Sequence, residues 1–150
     1  IDDHEVVRRG IAEVVDRALK LHRPSASDPL GTLASLGGLE VAAMTGVFIG
    51  CAAERVCGIS DGVISAASAR AARSLCADVY SYIFCSHRSE EPGHSVALVS
   101  LELEPFIDLG MRLGEGTGAA LAIPLMDAAC AMMNGIATFA EAGVTERPDE

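Results

Sequence analysis

The sequence predicts an α/β fold, a mostly parallel, Rossmann-like sheet with helices on both faces and accessory helices beside it. Three observations predict it. Short apolar segments recur at Val56–Ser60, Tyr80–Cys85 and Pro105–Gly110; each runs into a polar or glycine-containing loop; and each loop runs into a helix-forming stretch. Successive strands joined through helices lie parallel in one sheet, with right-handed crossovers.

In chain order, Asp2 and Asp3 are expected N-caps of a helix reaching Arg23, with Val7, Ile11, Val14, Ala18 and Leu21 on one side. Arg8, Arg9, Glu13, Asp16, Arg17 and Lys20 give that helix a solvated face. Pro24 ends it, and Pro29 suits the first position of the next helix, Leu30–Leu36, which Gly37-Gly38 should stop. Leu39–Glu54 restarts the helical pattern, and its small residues Ala42, Ala43, Gly46, Gly50 and Ala53 leave room for a closely packed neighbour. Glu40 near its start is explained by the helix dipole.

Val56–Ser60 then reads as a buried strand ending in Asp61-Gly62, and Val63–Leu75 as a helix. Asp61 is either an ordinary turn residue or an acid at the carboxyl edge of the sheet, where open α/β folds place their ligands. Tyr80–Cys85 is the second strand, Ser86–His94 a polar loop, Ser95–Leu101 a helix and Pro105–Gly110 the third strand. A helix from Ala119 to Met133 follows, then a short turn from Asn134 to Gly143 and a frayed end at Thr145–Glu150.

At 150 residues, 50% of them apolar, the chain suits one domain with its own core. The formal charge of −10 argues against binding a nucleic-acid backbone or an anionic membrane, both of which attract basic surfaces. Cys51, Cys57, Cys76, Cys85 and Cys130 are odd in number and form no CxxC pair, so they read as reduced core thiols of a cytoplasmic protein. The strongly apolar run Val41–Ala53 is shorter than the roughly 20 residues of a membrane-spanning helix, and no signal peptide is recognisable. The opening Ile1-Asp-Asp, without an initiator Met, reads as the start of a piece of something longer.

The chemistry is expected at Gly114-Glu115-Gly116-Thr117-Gly118, which places one carboxylate between glycines at a helix start. Glycine lets backbone approach a ligand, and first-turn amides are free to bind an anion or an oxygen. Gly114-x-Gly116-x-x-Ala119 formally meets a loose dinucleotide fingerprint, but no βαβ unit follows it and Glu115 would face the pyrophosphate. Cys85, His87 and His94 lack metal-ligand spacing, and no serine sits in a nucleophile elbow. Two roles fit Glu115: a general base, if held in a partly apolar pocket, or a residue accepting backbone N–H bonds at the helix start.

Leu36-Gly-Gly-Leu-Glu-Val-Ala-Ala-Met44, the strand ending in Asp61-Gly62, Ser86-His-Arg-Ser-Glu-Glu-Pro-Gly-His94, Leu103–Ala120 with its Gly-Glu-Gly-Thr-Gly-Ala-Ala core, and Ala137-Thr-Phe139 together resemble nicotinate-nucleotide:dimethylbenzimidazole phosphoribosyltransferase. The resemblance runs through nearly the whole chain, in order, but to the C-terminal part of a longer family sequence. It implies transfer of phosphoribose from nicotinate mononucleotide to 5,6-dimethylbenzimidazole, giving α-ribazole 5′-phosphate and nicotinate, in assembly of the cobalamin nucleotide loop. It implies Glu115 as the base, with Ser89, Gly114, Gly116 and Thr117, and further Asp61 and Gly62, binding substrate. No metal or cofactor is implied, and a parallel α/β sheet with accessory helices, assembled as a homodimer, is. The family's phosphate-binding lysine would fall near Ile11, Arg8 and Arg9 and is left unassigned. Since family members are longer, this chain is expected to hold the catalytic carboxylate without turning over alone. The competing readings are phosphoribosyl transfer to another azole, and a nucleotide-binding or inactive module.

Overall fold

The computed structural model describes residues 3–144. Helix α1 (Asp3–His22) carries exposed i,i+4 ion pairs, Arg9–Glu13 at 3.4 Å and Lys20–Asp16 at 2.5 Å, on its solvated face. Asp3 is already helical, and the other expected cap, Asp2, lies outside the described residues. The apolar stripe forms as the spacing predicts but meets no core: Val7, Ile11, Val14 and Leu21 are all exposed.

Asp28 caps the next helix, α2 (Pro29–Thr32), its carboxylate accepting the Gly31 amide at 2.9 Å, with Pro29 in the first turn. Gly37-Gly38 does not separate two helices by a loop. A wide π-helical turn (Leu33–Gly37) leads directly into α3 (Gly38–Ala53), Gly38 absorbing the change with φ +74°. The resulting 25-residue stretch, Pro29–Ala53, is longer than the apolar run read from the sequence. By length and composition it and the last helix are apolar enough to cross a membrane. Here α3 instead inserts Phe48 into the core, and buried Thr45 donates its hydroxyl to the Val41 carbonyl at 2.7 Å. A Cβ built on Gly46 or Gly50 would meet nothing within 4 Å, so the close packing expected of α3's small residues is absent at these two positions.

Strand β1 (Gly58–Ser60), helix α4 (Gly62–Leu75), strand β2 (Ile83–Ser89), helix α5 (Pro92–Leu101), strand β3 (Pro105–Met111) and helix α6 (Thr117–Gly135) complete the order. The sheet is parallel throughout, β1-β2-β3, in register Ile59↔Phe84 and Cys85↔Pro105, with an irregularity between His87 and Ser89. The α/β class is therefore observed, and α4 and α5 pack against each other in the core beside the sheet. Ala66, Ala69 and Ala72 of α4, fully buried, allow α3 and α5 to pack against it, with Phe48 and Leu101 meeting Ile83 in the core. Phe84 and Phe106 stack with centroids 6.0 Å apart, on residues alternating with the core-facing ones, and Phe106 stays exposed.

The second strand lies later than the sequence predicted. Ala77–Tyr82 forms a 3₁₀ turn because Val79 is driven into the core, the Tyr80 hydroxyl donates to the Glu102 carbonyl at 2.9 Å, and Arg73 stacks on the Tyr80 ring. The strand instead takes in Ser86–Ser89, read above as loop. Similarly α5 starts at Pro92, which suits a first turn, three residues before the expected Ser95. Beyond α6, Thr138 and Glu141 close a turn, the Glu141 carboxylate accepting from the Thr138 amide at 2.8 Å and hydroxyl at 2.9 Å. The expected frayed end, Thr145–Glu150, lies outside the described residues.

Candidate active site

Parallel strands end on one edge, and the loops leaving that edge converge. Asp61 follows β1, Ser89 closes β2, and Gly114 and Glu115 follow β3. These residues, with Gly62, line one cavity of about 440 Å³. Sequence reading thus brought together five residues that the fold does place side by side. Gly116 and Thr117 are not on its lining. Thr117 turns its hydroxyl to the Gly114 carbonyl at 2.8 Å and its amide to the same oxygen at 3.1 Å, which closes the loop rather than facing the cavity.

The loop is conformationally unusual. Gly114, Glu115 and Gly116 all have positive φ, +74°, +56° and +80°. Two glycines adopt this region freely, but Glu115 does so against the preference of a side chain, and such strain concentrates at functional sites. Gly116 then starts α6 with no side-chain cap. The Glu115 carboxylate is exposed at the cavity, so the apolar surroundings expected of a base are not supplied by the described residues.

Asp61 is far more confined. Its amide donates to Ser65 Oγ at 2.6 Å, and its Oδ1 lies 2.9 Å from His87 Nδ1. Ser86 Oγ donates to the Ser60 carbonyl at 2.9 Å and stands 3.1 Å from the same His87 nitrogen. At the end of β2 the Ser89 amide donates to His94 Nδ1 at 2.9 Å, and Ser89 Oγ accepts the Glu91 amide at 3.3 Å at the turn into α5. Burial, reinforced by His87 and Arg88, lowers the His94 pKa below its ordinary 6.5. Since Nδ1 accepts a hydrogen bond from the Ser89 amide, the neutral ring carries its hydrogen on Nε2, 4.0 Å from Cys85 Sγ. The Cys85 thiol is pushed up to about 11, chiefly by burial. Cys85, His87 and His94 are close in space, yet no group of three His, Cys, Asp or Glu among the described residues is arranged to hold a metal ion.

The cavity also exposes residues that sequence reasoning missed: Glu40, Met44, Ser65, Glu91, Arg112 and Leu113. The helix-dipole explanation of Glu40 hid its place on the cavity wall. Arg112 and Glu91 lie inside motifs that had been singled out, and that proximity was the available signal. With Glu40, Asp61, Glu91 and Glu115 facing Arg112 as the one cation among the described lining residues, the cavity is acidic. A second cavity, about 380 Å³, contains Arg70 and no carboxylate among its described lining; Arg70 is held by Ser100 at 2.7 Å and by Ser74.

Fold and site together define an α/β protein with an acidic cavity at the carboxyl edge of its parallel sheet, the edge where open α/β folds place ligands, beside a strained glycine loop. The family model described as phosphoribosyltransferase matches residues 1–144, and the chain belongs to that family. It is 49% identical over 90% of its length to nicotinate-nucleotide:dimethylbenzimidazole phosphoribosyltransferase of Pseudomonas savastanoi pv. phaseolicola, covering 39% of that protein. The enzyme of the same name from Chloroflexus aggregans is 47% identical over 99% of the chain, which spans 42% of that relative. The crystal structure of the Thermus thermophilus enzyme superposes with a TM-score of 0.78 at 40% identity, over 89% of this chain and 40% of that one. The chain thus spans about two fifths of the length of these relatives.

Proposed function

We propose that this chain supplies one wall of the active site of an enzyme that moves phosphoribose from nicotinate mononucleotide to 5,6-dimethylbenzimidazole. The observation that carries the reading is the convergence of Asp61, Ser89, Gly114 and Glu115, from three strand ends, on one acidic cavity in a chain of this family. One benzimidazole nitrogen attacks the anomeric carbon, the bond from that carbon to the pyridinium nitrogen breaks, and nicotinate leaves with the bonding pair. Glu115 takes the proton from the other benzimidazole nitrogen, and α-ribazole 5′-phosphate results. The leaving group is already cationic, so activating the acceptor and aligning the two rings are the main tasks. Carboxylates around the cavity favour the positive charge of the pyridinium and of the anomeric centre as the bond breaks. Ser89, Gly62 and Gly114, which line the cavity, contribute polar and backbone contacts to the nucleotide.

The exposure of Glu115 favours a companion statement, that this chain does not turn over by itself. The apolar surface needed around the base would come from elsewhere in the assembled enzyme. We place that enzyme in the cytoplasm, in keeping with its free cysteines, and read it as a homodimer, supported by the exposed apolar residues along α1 and α6, among them Ile11, Val14, Leu121, Leu125 and Met133. The deciding experiment follows α-ribazole 5′-phosphate formation by the intact enzyme with and without Glu115→Gln. Turnover with adenine or another azole, and none with benzimidazoles, would displace the assigned acceptor. Binding of nicotinate mononucleotide without any transfer would favour a binding module.

A further inference from the structure

Behind the cavity lies a buried polar pair that the transfer chemistry leaves unused. His87 is fully buried on β2, and its Nδ1 lies 2.9 Å from Asp61 Oδ1. A carboxylate oxygen only accepts, so Nδ1 carries the hydrogen and donates it to Asp61 Oδ1; the Ser86 hydroxyl, 2.9 Å from the Ser60 carbonyl, stands 3.3 Å from the same Oδ1. His87 Nε2 has no partner among the described residues, so the ring's polar attachments are all at Nδ1. Asp61 is held at both ends, through its amide by Ser65 and through Oδ1 by His87. Its Oδ2 is buried and unpartnered among the described residues, on a side chain only 9% exposed that lines the cavity. A buried carboxylate oxygen without a donor is costly, and a ligand hydroxyl is the group that would satisfy it.

The pair is also keyed to the glycine loop. A Cβ built on Gly118 would stand 2.0 Å from His87 Nδ1 and 2.6 Å from Asp61 Oδ1, so the first turn of α6 rests directly on the two side chains. Resting on the reading of the cavity as a nucleotide site, we infer that His87 is a positioning residue: it fixes Asp61 so that Oδ2 accepts a hydrogen bond from a ribose hydroxyl of the donor nucleotide. It does so in register with the loop that carries Glu115. His87 touches no reacting atom and acts through Asp61.

The test uses the intact enzyme, with KM and kcat for nicotinate mononucleotide and calorimetric binding of the nucleotide and its 2′-deoxy and 3′-deoxy analogues. In the unmodified enzyme, loss of the bonded hydroxyl weakens binding about tenfold or more. His87→Leu is expected to raise KM by about tenfold with a smaller change in kcat, and to erase discrimination against the deoxy analogue. His87→Asn, whose amide nitrogen reaches the place of Nδ1, restores both, whereas His87→Gln does not. In an Asp61→Asn background His87→Leu has no further effect on KM, because its influence runs through that carboxylate. Should His87→Leu not fold, the contrast between Asn and Gln carries the same decision. Additive effects of the two substitutions, or unchanged deoxy discrimination in His87→Leu or His87→Gln, overturn the positioning role while leaving the transfer reaction intact. An intact enzyme that neither binds nor uses nicotinate mononucleotide overturns both.

Discussion

His94 Nδ1 accepts the Ser89 amide hydrogen across 2.9 Å, tying α5 to the last residue of β2. The bond requires a neutral imidazole, and burial holds the ring in that form by lowering its pKa below 6.5. A histidine whose folded pKa is depressed contributes stability that is present above its unfolded pKa and is lost as pH falls through the folded value. Thermal unfolding should therefore show a plateau near neutral pH and a declining Tm at pH values below about 6.5. His94→Gln should lower the plateau and flatten the acid limb. An acid limb as steep in His94→Gln as in the parent would show that other groups govern the decline.

Glu115 separates strain from chemistry. At φ +56° between two glycines, its backbone is held where a side chain costs about 1 kcal/mol or more. Glu115→Gly should then stabilise the chain by about 1 kcal/mol, less the added freedom of glycine in the unfolded state, and should abolish transfer in the intact enzyme. Glu115→Gln retains the strain and removes the base, so kcat should fall by about a hundredfold to ten-thousandfold with Tm unchanged. Calorimetric Tm beside steady-state kinetics reads both. A Glu115→Gly variant that is less stable than Glu115→Gln would mean the loop draws on contacts of the side chain that outweigh the backbone strain.

The two halves of this site differed in legibility for physical reasons. Gly114–Gly118 announced itself, since an acid among glycines has few uses, and Asp61-Gly62 could be placed at a strand end from pattern alone. His87 could not be. It lies in Ser-His-Arg-Ser-Glu-Glu, a composition that reads as solvated loop, and only pairing with Ile107 on β3 and hydrogen bonding to Asp61 make it a buried strand residue. Tyr80-Ser-Tyr82 failed the opposite way, because its strand-forming residues were overruled by the burial of Val79 and the bond to Glu102. The parallel order followed from the helix-strand rhythm, whereas the exposure of Glu115 depends on which neighbours surround it and has no local signature.

Thiol reactivity should follow burial. Of the five cysteines expected in the core only Cys85 is buried; Cys57 and Cys130 are exposed, and the Cys85 thiol is pushed up to about 11, so near neutral pH it presents almost no thiolate. Brief treatment of the folded chain with iodoacetamide, read by peptide mass spectrometry, should label Cys57 and Cys130 and spare Cys85 until denaturant is added. Rapid labelling of Cys85 in the folded chain would contradict the packing of β2 against α5.

Two glycine-to-alanine changes, both inside helices, should move stability in opposite directions. Gly46 in α3 has open space around it and no positive φ, so alanine there gains helix propensity and should stabilise by about 0.5–1 kcal/mol. Gly118 offers the same propensity gain in α6, but its Cβ would meet His87 Nδ1 and Asp61 Oδ1 well inside van der Waals contact. Neither neighbour can give way easily, since the imidazole is enclosed and Asp61 is fixed through Ser65 and His87. Overpacking of this kind costs about 1–3 kcal/mol, which exceeds the propensity gain, so Gly118→Ala should lower Tm. A Gly118→Ala chain as stable as Gly46→Ala would mean that α6 does not rest on the Asp61–His87 pair, and the link between that pair and the Glu115 loop would fall with it.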